Sequence, residues 1–461
     1  MFAKLIWAAM GLLPTLPALA AAEAETALLI KNGYVMSMKP DDHDMPTTDI
    51  LVQNHKITQI GVNLSAPDAT VIDASGKFVL PGFIDAHNHL WVTTMRGQFR
   101  NQQGKFFPVS NKLAAAMQPD DIYLSMYSGA LELIQSGITT SGDFFDNIRS
   151  PQGAEAGFKA LKESGIRAIM YYGGPDKTTK YPVDLPHLAR LLPQQSERVH
   201  IGLAWRLPRD LHDENNWTMR QKEFAFARTH QLPVQVHVSG DASAMFDALI
   251  ARHYLTHFVT VVHATDATPT QLNALRNAGS GLVLTPLSEQ RVGYGLTRLD
   301  RFDGVPRTGL GIDGNALAGS GDMFANMRLA ALTLSGGARD ETRSDPRHLL
   351  ELATRGSAEA LGLGNITGTL EVGKKADIQI IDPDTLNMNG FGGGDPAALI
   401  VYSARPENVD TVVIDGHVVK RNKVLEGVDV KEILLRSNAS AQQLLKRAQV
   451  SSESHDALKA Q

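Results

Sequence analysis

Between residues 81 and 314 the chain alternates short apolar runs with helical-looking segments. The apolar runs read "GFIDAHNH", "GITTSGDFFD", "IRAIMYYGG", "VHIGLAWR", "VQVHVSG", "VTVVHATD", "GLVLTPLSE" and "GLGIDGN". Among the segments separating them are "DDIYLSMYSGALELIQSG", "PQGAEAGFKALKESG" and "TPTQLNALRNAG". A short apolar run bounded by turn residues suits a strand buried on both faces. Eight of them alternating with helices predict an α/β fold, a parallel (β/α)8 TIM-like barrel.

The two ends have another texture. "ALLIKNGYVMSM", "DILVQNHKITQIG" and "TVIDASGKFVLPGF" precede the barrel, and "KKADIQIIDPDTL" and "VDTVVIDGHVVKRNKVL" follow it. These runs are rich in β-branched and aliphatic residues and are bounded by Gly, Asn or Asp, as antiparallel strands are. They predict a small β-sandwich domain formed from both chain ends, residues 26–80 with 366–428, around a barrel of residues 81–365. Residues 429–461 read as a C-terminal helical tail whose polar end, "VSSESHDALKAQ", frays.

Composition narrows the function classes. The chain has 461 residues, is 43% hydrophobic and 20% charged, and carries a formal charge of −5. That balance offers no basic footprint for nucleic acid and no polybasic membrane patch, and it leaves a small-molecule substrate as the expected partner. With 15 histidines and no cysteine, a transition-metal site must use imidazole and carboxylate. The N-terminus places Lys4 before an apolar run and ends in the A-x-A pattern Ala18-Leu19-Ala20, so residues 1–22 are expected to be a signal peptide. Periplasmic or secreted localisation follows, with no stable membrane insertion after cleavage. An uncleaved membrane anchor is the alternative.

The polar residues at the strand ends supply the chemistry. His87 and His89 end the first barrel strand, His237 the fifth, His263 the sixth and Asp313 the eighth. Residues i and i+2 of a strand share a face, so His87 and His89 can grip one object. Three neutral imidazoles and a carboxylate suit one divalent ion per chain, Zn²⁺ or alternatively Fe²⁺, with a position left open for water. The metal lowers the pKa of that water toward neutrality. Asp313 can touch the metal and accept the water's proton. His263 can bind weakly, or orient the water or the substrate oxygen.

Three longer motifs carry a resemblance. "VLPGFIDAHNHLW" is similar to the first-strand motif of the amidohydrolase superfamily, "GLGIDGNALAGSGDMFANMRLA" to its eighth-strand Asp segment, and "GTLEVGKKADIQIID" to the stretch that re-enters the β-sandwich. The branch is that of cytosine deaminase, guanine deaminase and the triazine hydrolases, and the resemblance runs from about Ala27 to Glu426. It implies metal-dependent hydrolysis at a carbon bearing nitrogen, or sometimes a halide. His87, His89, His237 and Asp313 become metal ligands by the same resemblance, and His263 a water or substrate contact. Trp205 and Arg206 stand where binuclear branches place a bridging lysine or glutamate on the fourth strand, which favours one metal.

The chain also departs from the branch. Deaminases of this kind carry a fifth-strand H-x-x-E whose glutamate shuttles protons, and here Gly240 occupies that place. Glycine has no group for general acid–base work. On the seventh strand the usual H-x-P-x-S-N becomes "LTPLSE", with Leu284 at the histidine position. Glu289, Asp241 or Asp146 could supply a substitute acid, Glu289 foremost because Gly293 and Gly295 let its loop fold inward. Alternatively no separate acid is required and Asp313 alone relays the proton. Asp143, Asp146 and Asn147 are expected at the barrel mouth as substrate contacts or helix N-caps. The long loop "WVTTMRGQFRNQQGKFFPVSNKLA", with Trp91, Arg96, Arg100, Phe106 and Phe107, either caps a planar substrate or packs on the surface.

The reading is an exported hydrolase of a non-peptide C–N bond in a small cyclic or heteroaromatic molecule. Its site comprises Asp313, His263 and Glu289 as catalytic groups, His87, His89, His237 and Asp313 at the metal, and Trp91, Arg96 and Asp146 at the substrate. The rivals are a deaminase of a heterocyclic amine using Glu289, and a non-catalytic periplasmic binding protein on the same scaffold. A homo-oligomer whose barrel-mouth loops cross the interface is a further expectation.

Overall fold

The computed structural model describes residues 27–100, 104–175, 177–239 and 242–450. The expected signal peptide, Gly240 and Asp241, and the polar end of the tail lie outside the described residues.

Eight parallel strands follow one another around the barrel: Phe83–Asn88, Ile138–Phe145, Arg167–Tyr172, Val199–Trp205, Val234–Val238, Val259–His263, Gly281–Leu284 and Thr308–Leu310. Each pairs with the next in parallel register. Helices such as Pro119–Gln135, Pro151–Ser164 and Pro269–Ala278 fall where the sequence pattern placed them. The strands are almost wholly buried, because helices cover the outside and side chains fill the inside. The eighth strand meets the first through two bonds just beyond its end. Asp313 N donates to His87 O at 2.8 Å, and Ile312 N to Asp85 Oδ1 at 2.8 Å. Gly311 makes that approach feasible, since a Cβ there would lie 2.8 Å from His87 O and 2.9 Å from His87 N.

Nine strands from both chain ends form a second, mixed sheet. The N-terminal part supplies five strands between Leu28 and Pro81, and the C-terminal part four between Ile378 and Leu425. The halves join where Ile378–Ile381 pairs antiparallel with Phe78–Pro81. Residues of both halves, including Ile30, Val52, Val79, Ile378 and Val413, share an apolar core separate from that of the barrel. A buried ion pair ties this sheet to the barrel. Arg167 of the third barrel strand meets Asp377 through Nε at 2.7 Å, and Asp415 at 3.3 Å. The tail forms the helix Val430–Arg447 against Pro119–Gln135, where Ser440 Oγ donates to Asp121 at 2.6 Å.

The segment after the first strand differs from the loop its sequence suggested. It holds a turn of 3-10 helix, Leu90–Met95, and an α-helix, Phe106–Ala116. No side chain caps either N-terminus, so the local signal that marks a helix start is absent. Packing of Leu113 and Ala114 into the core holds the second helix in place.

Candidate metal centre and cavity

The strand order brings His87, His89, His237 and Asp313 to one point at the C-terminal mouth of the barrel. One ligand atom from each lies within 4.8 Å of all the others. His237 Nε2 stands 3.1 Å from His87 Nε2 and 3.3 Å from His89 Nε2. Asp313 Oδ1 is 3.2 Å from His87 Nε2 and 3.3 Å from His89 Nε2. The Phe144 ring lies against His237 with centroids 4.3 Å apart, an apolar wall beside the cluster.

The far side of each ring decides what the near side can do. Gln235 Nε2 donates to Ala86 O at 2.7 Å, which turns Gln235 Oε1 toward His87 Nδ1 at 2.9 Å. Asp146 Oδ1 accepts from His89 Nδ1 at 3.1 Å. Both imidazoles therefore hold a proton on Nδ1 and turn Nε2 toward the cluster. Burial, then the imidazoles of His87 and His89, hold His237 well below its ordinary pKa, and so keep it neutral. At His89 burial pushes the same way, but Asp146 and Asp313 outweigh it and raise the group to about 10. That position favours a positive charge, whether a proton or a metal ion. Asp313 stays ionised despite burial, because His263, His87 and His89 surround it. Three imidazole nitrogens converging on an ionised carboxylate fit a divalent cation, which would take the place of the proton His89 otherwise holds on Nε2.

Two ligand-side residues sit in the left-handed region that disfavours side chains, His263 at φ 75° and Asp313 at φ 59°. Such conformations cost about 1–3 kcal/mol each and persist only where neighbours enforce them. At Asp313 the enforcing contact is its own N–H on His87 O.

His263 Nε2 lies 3.9 Å from Asp313 Oδ2, and its Nδ1 faces Glu289 Oε1 at 3.2 Å. Glu289 stands on the short helix Pro286–Arg291 rather than in an inward-folding loop, and is fully buried. It also accepts from Thr285 N at 2.9 Å and from the Thr297 hydroxyl. Its carboxylate therefore sits behind His263 and away from the cavity wall.

A cavity of about 650 Å³ opens over the cluster. His89, His237, His263 and Asp313 line it, as do Trp91, Asp146, Phe106 and Phe107. Trp91 Nε1 donates to Asp146 Oδ1 at 2.9 Å, so one carboxylate fixes both a metal-site imidazole and the indole. Arg206 pairs with the other oxygen of Asp146. Arg96 is not brought to the cavity, and its guanidinium pairs with Glu132. Asp143 accepts from Leu90 N at 2.8 Å, and Asn147 donates to Ala114 O at 3.1 Å, so both support the scaffold. Ser150 caps the helix after the second strand.

Sequence reading passed over Gln235, the pairing role of Arg206, and Tyr294, whose ring lies 5.8 Å from that of His263. Gln235 had a signal, since it precedes His237 by two and shares its face of the strand. The others come from loops, or from partners distant in sequence, and had none.

Residues 78–419 match the model of the amidohydrolase family. A 5-methylthioadenosine/S-adenosylhomocysteine deaminase from Acetivibrio thermocellus is 28% identical over 91% of this chain and 100% of its own. Among solved structures, a zinc-bound adenosine deaminase from Xanthomonas campestris superposes with a TM-score of 0.78 at 23% identity, covering 92% of this chain and 99% of its own. A zinc complex of atrazine chlorohydrolase from Arthrobacter aurescens gives 0.80 at 24% identity, covering 90% and 100%.

Proposed function

The chain belongs to the amidohydrolase family, and from that premise we propose that it is a zinc-dependent hydrolase of a carbon–nitrogen bond in a heterocyclic small molecule. The observation that carries the reading is the cluster itself, three imidazole nitrogens converging on an ionised Asp313 beside one cavity. His87, His89, His237 and Asp313 would hold the ion. When bound, it supplies Lewis acidity and lowers the pKa of water toward neutrality. Asp313 accepts the proton of the attacking water as the C–O bond forms, and returns it to the departing nitrogen as the C–N bond breaks. His263 presents Nε2 to the substrate oxygen. Glu289 is a positioning residue that fixes the His263 ring through Nδ1.

Loss of ammonia from an exocyclic amine is a second reading, favoured by the deaminase named among the relatives. Against it stand Gly240, which offers no acid, and Glu289, which is buried behind His263. Export is proposed on the leader-like residues 1–22. N-terminal sequencing of the mature protein from a fractionated cell tests it, and an intact Met1 would refute it.

The decisive assay screens the zinc-loaded protein against cyclic amides, ureas and amino-heterocycles, with ammonia measured in parallel. Turnover should vanish on chelation, return with zinc, and fall at least about 100-fold in Asp313→Asn. Full turnover by that variant would overturn the mechanism.

A further inference from the structure

The cavity has a second chemical character away from the metal cluster. Arg149, Lys177, Arg206 and Arg209 all line it. Asp146 neutralises Arg206. Among the described residues, no carboxylate lies within ion-pair distance of Arg149, Lys177 or Arg209. Arg149 spends its Nε on Asn147 Oδ1 at 2.9 Å, and its guanidinium lies 5.3 Å from the centre of the Tyr181 ring. Both contacts orient the guanidinium without cancelling its charge. Lys177 is half-buried, and burial together with Arg206 and Arg209 lowers its ammonium to about 8. Arg149 and Arg209 are exposed. Like charges lining one cavity repel one another, and an anion bound between them relieves that repulsion.

These cations also have a fixed place relative to the chemistry. Asp146 takes His89 on one oxygen and Arg206 on the other, so the cations begin one carboxylate away from the cluster. Trp91 and Phe106 line the same cavity and offer flat apolar faces to a ring.

We propose that Arg149, Lys177 and Arg209 form a subsite for an oxyanion on the substrate, a carboxylate or phosphate set apart from the carbon attacked at the metal cluster. The enzyme then acts on anionic heterocycles in preference to neutral ones. The inference rests on the heterocycle reading above. Two forked guanidiniums and a point-charge ammonium suit a group with several oxygens.

Equilibrium binding tests it with ligands that have no amine to lose: purine riboside, its 5′-carboxylate and its 5′-monophosphate. Each is titrated into the zinc-loaded protein and into the Arg149→Gln/Lys177→Gln/Arg209→Gln variant. At least one anion should bind about tenfold or more tightly than the neutral riboside at low salt, an advantage that salt and the triple variant each reduce to about twofold or less. Whichever anion gains identifies the group as carboxylate or phosphate. Equal affinities for all three ligands, or an advantage that the variant keeps, would overturn the subsite. If none of the ribosides binds, the heterocycle reading has failed, and hippurate and phenyl phosphate then decide the subsite. Weaker binding of either to the variant supports it, and equal or absent binding to both proteins overturns it.

Discussion

Replacing Gln235 with leucine alters the His–Asp cluster without touching any of its four members. The amide accepts from His87 Nδ1 at 2.9 Å and donates to Ala86 O at 2.7 Å, and both Gln235 and His87 are fully buried. In the metal-free variant the His87 proton can move to Nε2, where Asp313 Oδ1 stands 3.2 Å away and accepts it. Metal binding forbids that escape, because Nε2 must be bare. The proton must return to Nδ1, where leucine offers no acceptor. A buried unsatisfied N–H costs about 1–3 kcal/mol. That penalty falls on the metal-bound form alone and weakens zinc affinity roughly 5- to 150-fold. Competition against a chromogenic chelator at fixed pH reads the affinity directly. A melt of the metal-free variant separately reports the lost bond to Ala86, again about 1–3 kcal/mol. Zinc affinity within about twofold of native, in a variant that melts cooperatively, would refute the orientation of His87 described above.

Gly311→Ala places a methyl 2.8 Å from His87 O, so the first and eighth strands must part. A loss of about 1–3 kcal/mol in urea unfolding, with reduced zinc occupancy, is expected; unchanged stability would show that the strand junction is slack. Arg167→Met leaves the buried Asp377 carboxylate without its charge partner, while Asp415 keeps Lys375 at 3.0 Å, and should cost about 3–5 kcal/mol in the same assay, with Asp377→Leu added in the same chain recovering part of it. The Lys177 ammonium, faced by Arg206, Arg209 and Asp146, loses its proton near pH 8, so the preference for an anionic ligand should decline from pH 7 to 9. In Lys177→Gln that decline should be absent from the binding titration, and its persistence would exclude Lys177 as its source.

The barrel and the cluster were legible for one physical reason. A parallel strand buried on both faces must be apolar along its length, so a histidine or aspartate at its end stands out. His87, His89, His237, His263 and Asp313 announced themselves that way, and all five meet at the barrel mouth. Glu289 was legible as an acid near the seventh strand, but its direction was not. Helix Pro286–Arg291 turns it toward Nδ1 of His263, a contact across 26 residues. Arg96 reads like a substrate contact because of its position after the first strand. The helical turn Leu90–Met95 instead leaves it beside Glu132 of the next helix.

By itself the sequence determined the alternation of strands and helices in the barrel, a β-rich block drawn from both chain ends, and a His–Asp cluster that no cysteine could join. Those properties follow from local pattern and residue chemistry. Tertiary structure alone decided which nitrogen each histidine presents, because Gln235 and Asp146 reach their rings from other strands. It also decided the left-handed backbone at His263 and Asp313, which only packing sustains, and the gathering of Arg149, Lys177 and Arg209 around one cavity. Contacts between residues far apart in sequence leave no periodic trace, and the specificity of the site depends on such contacts.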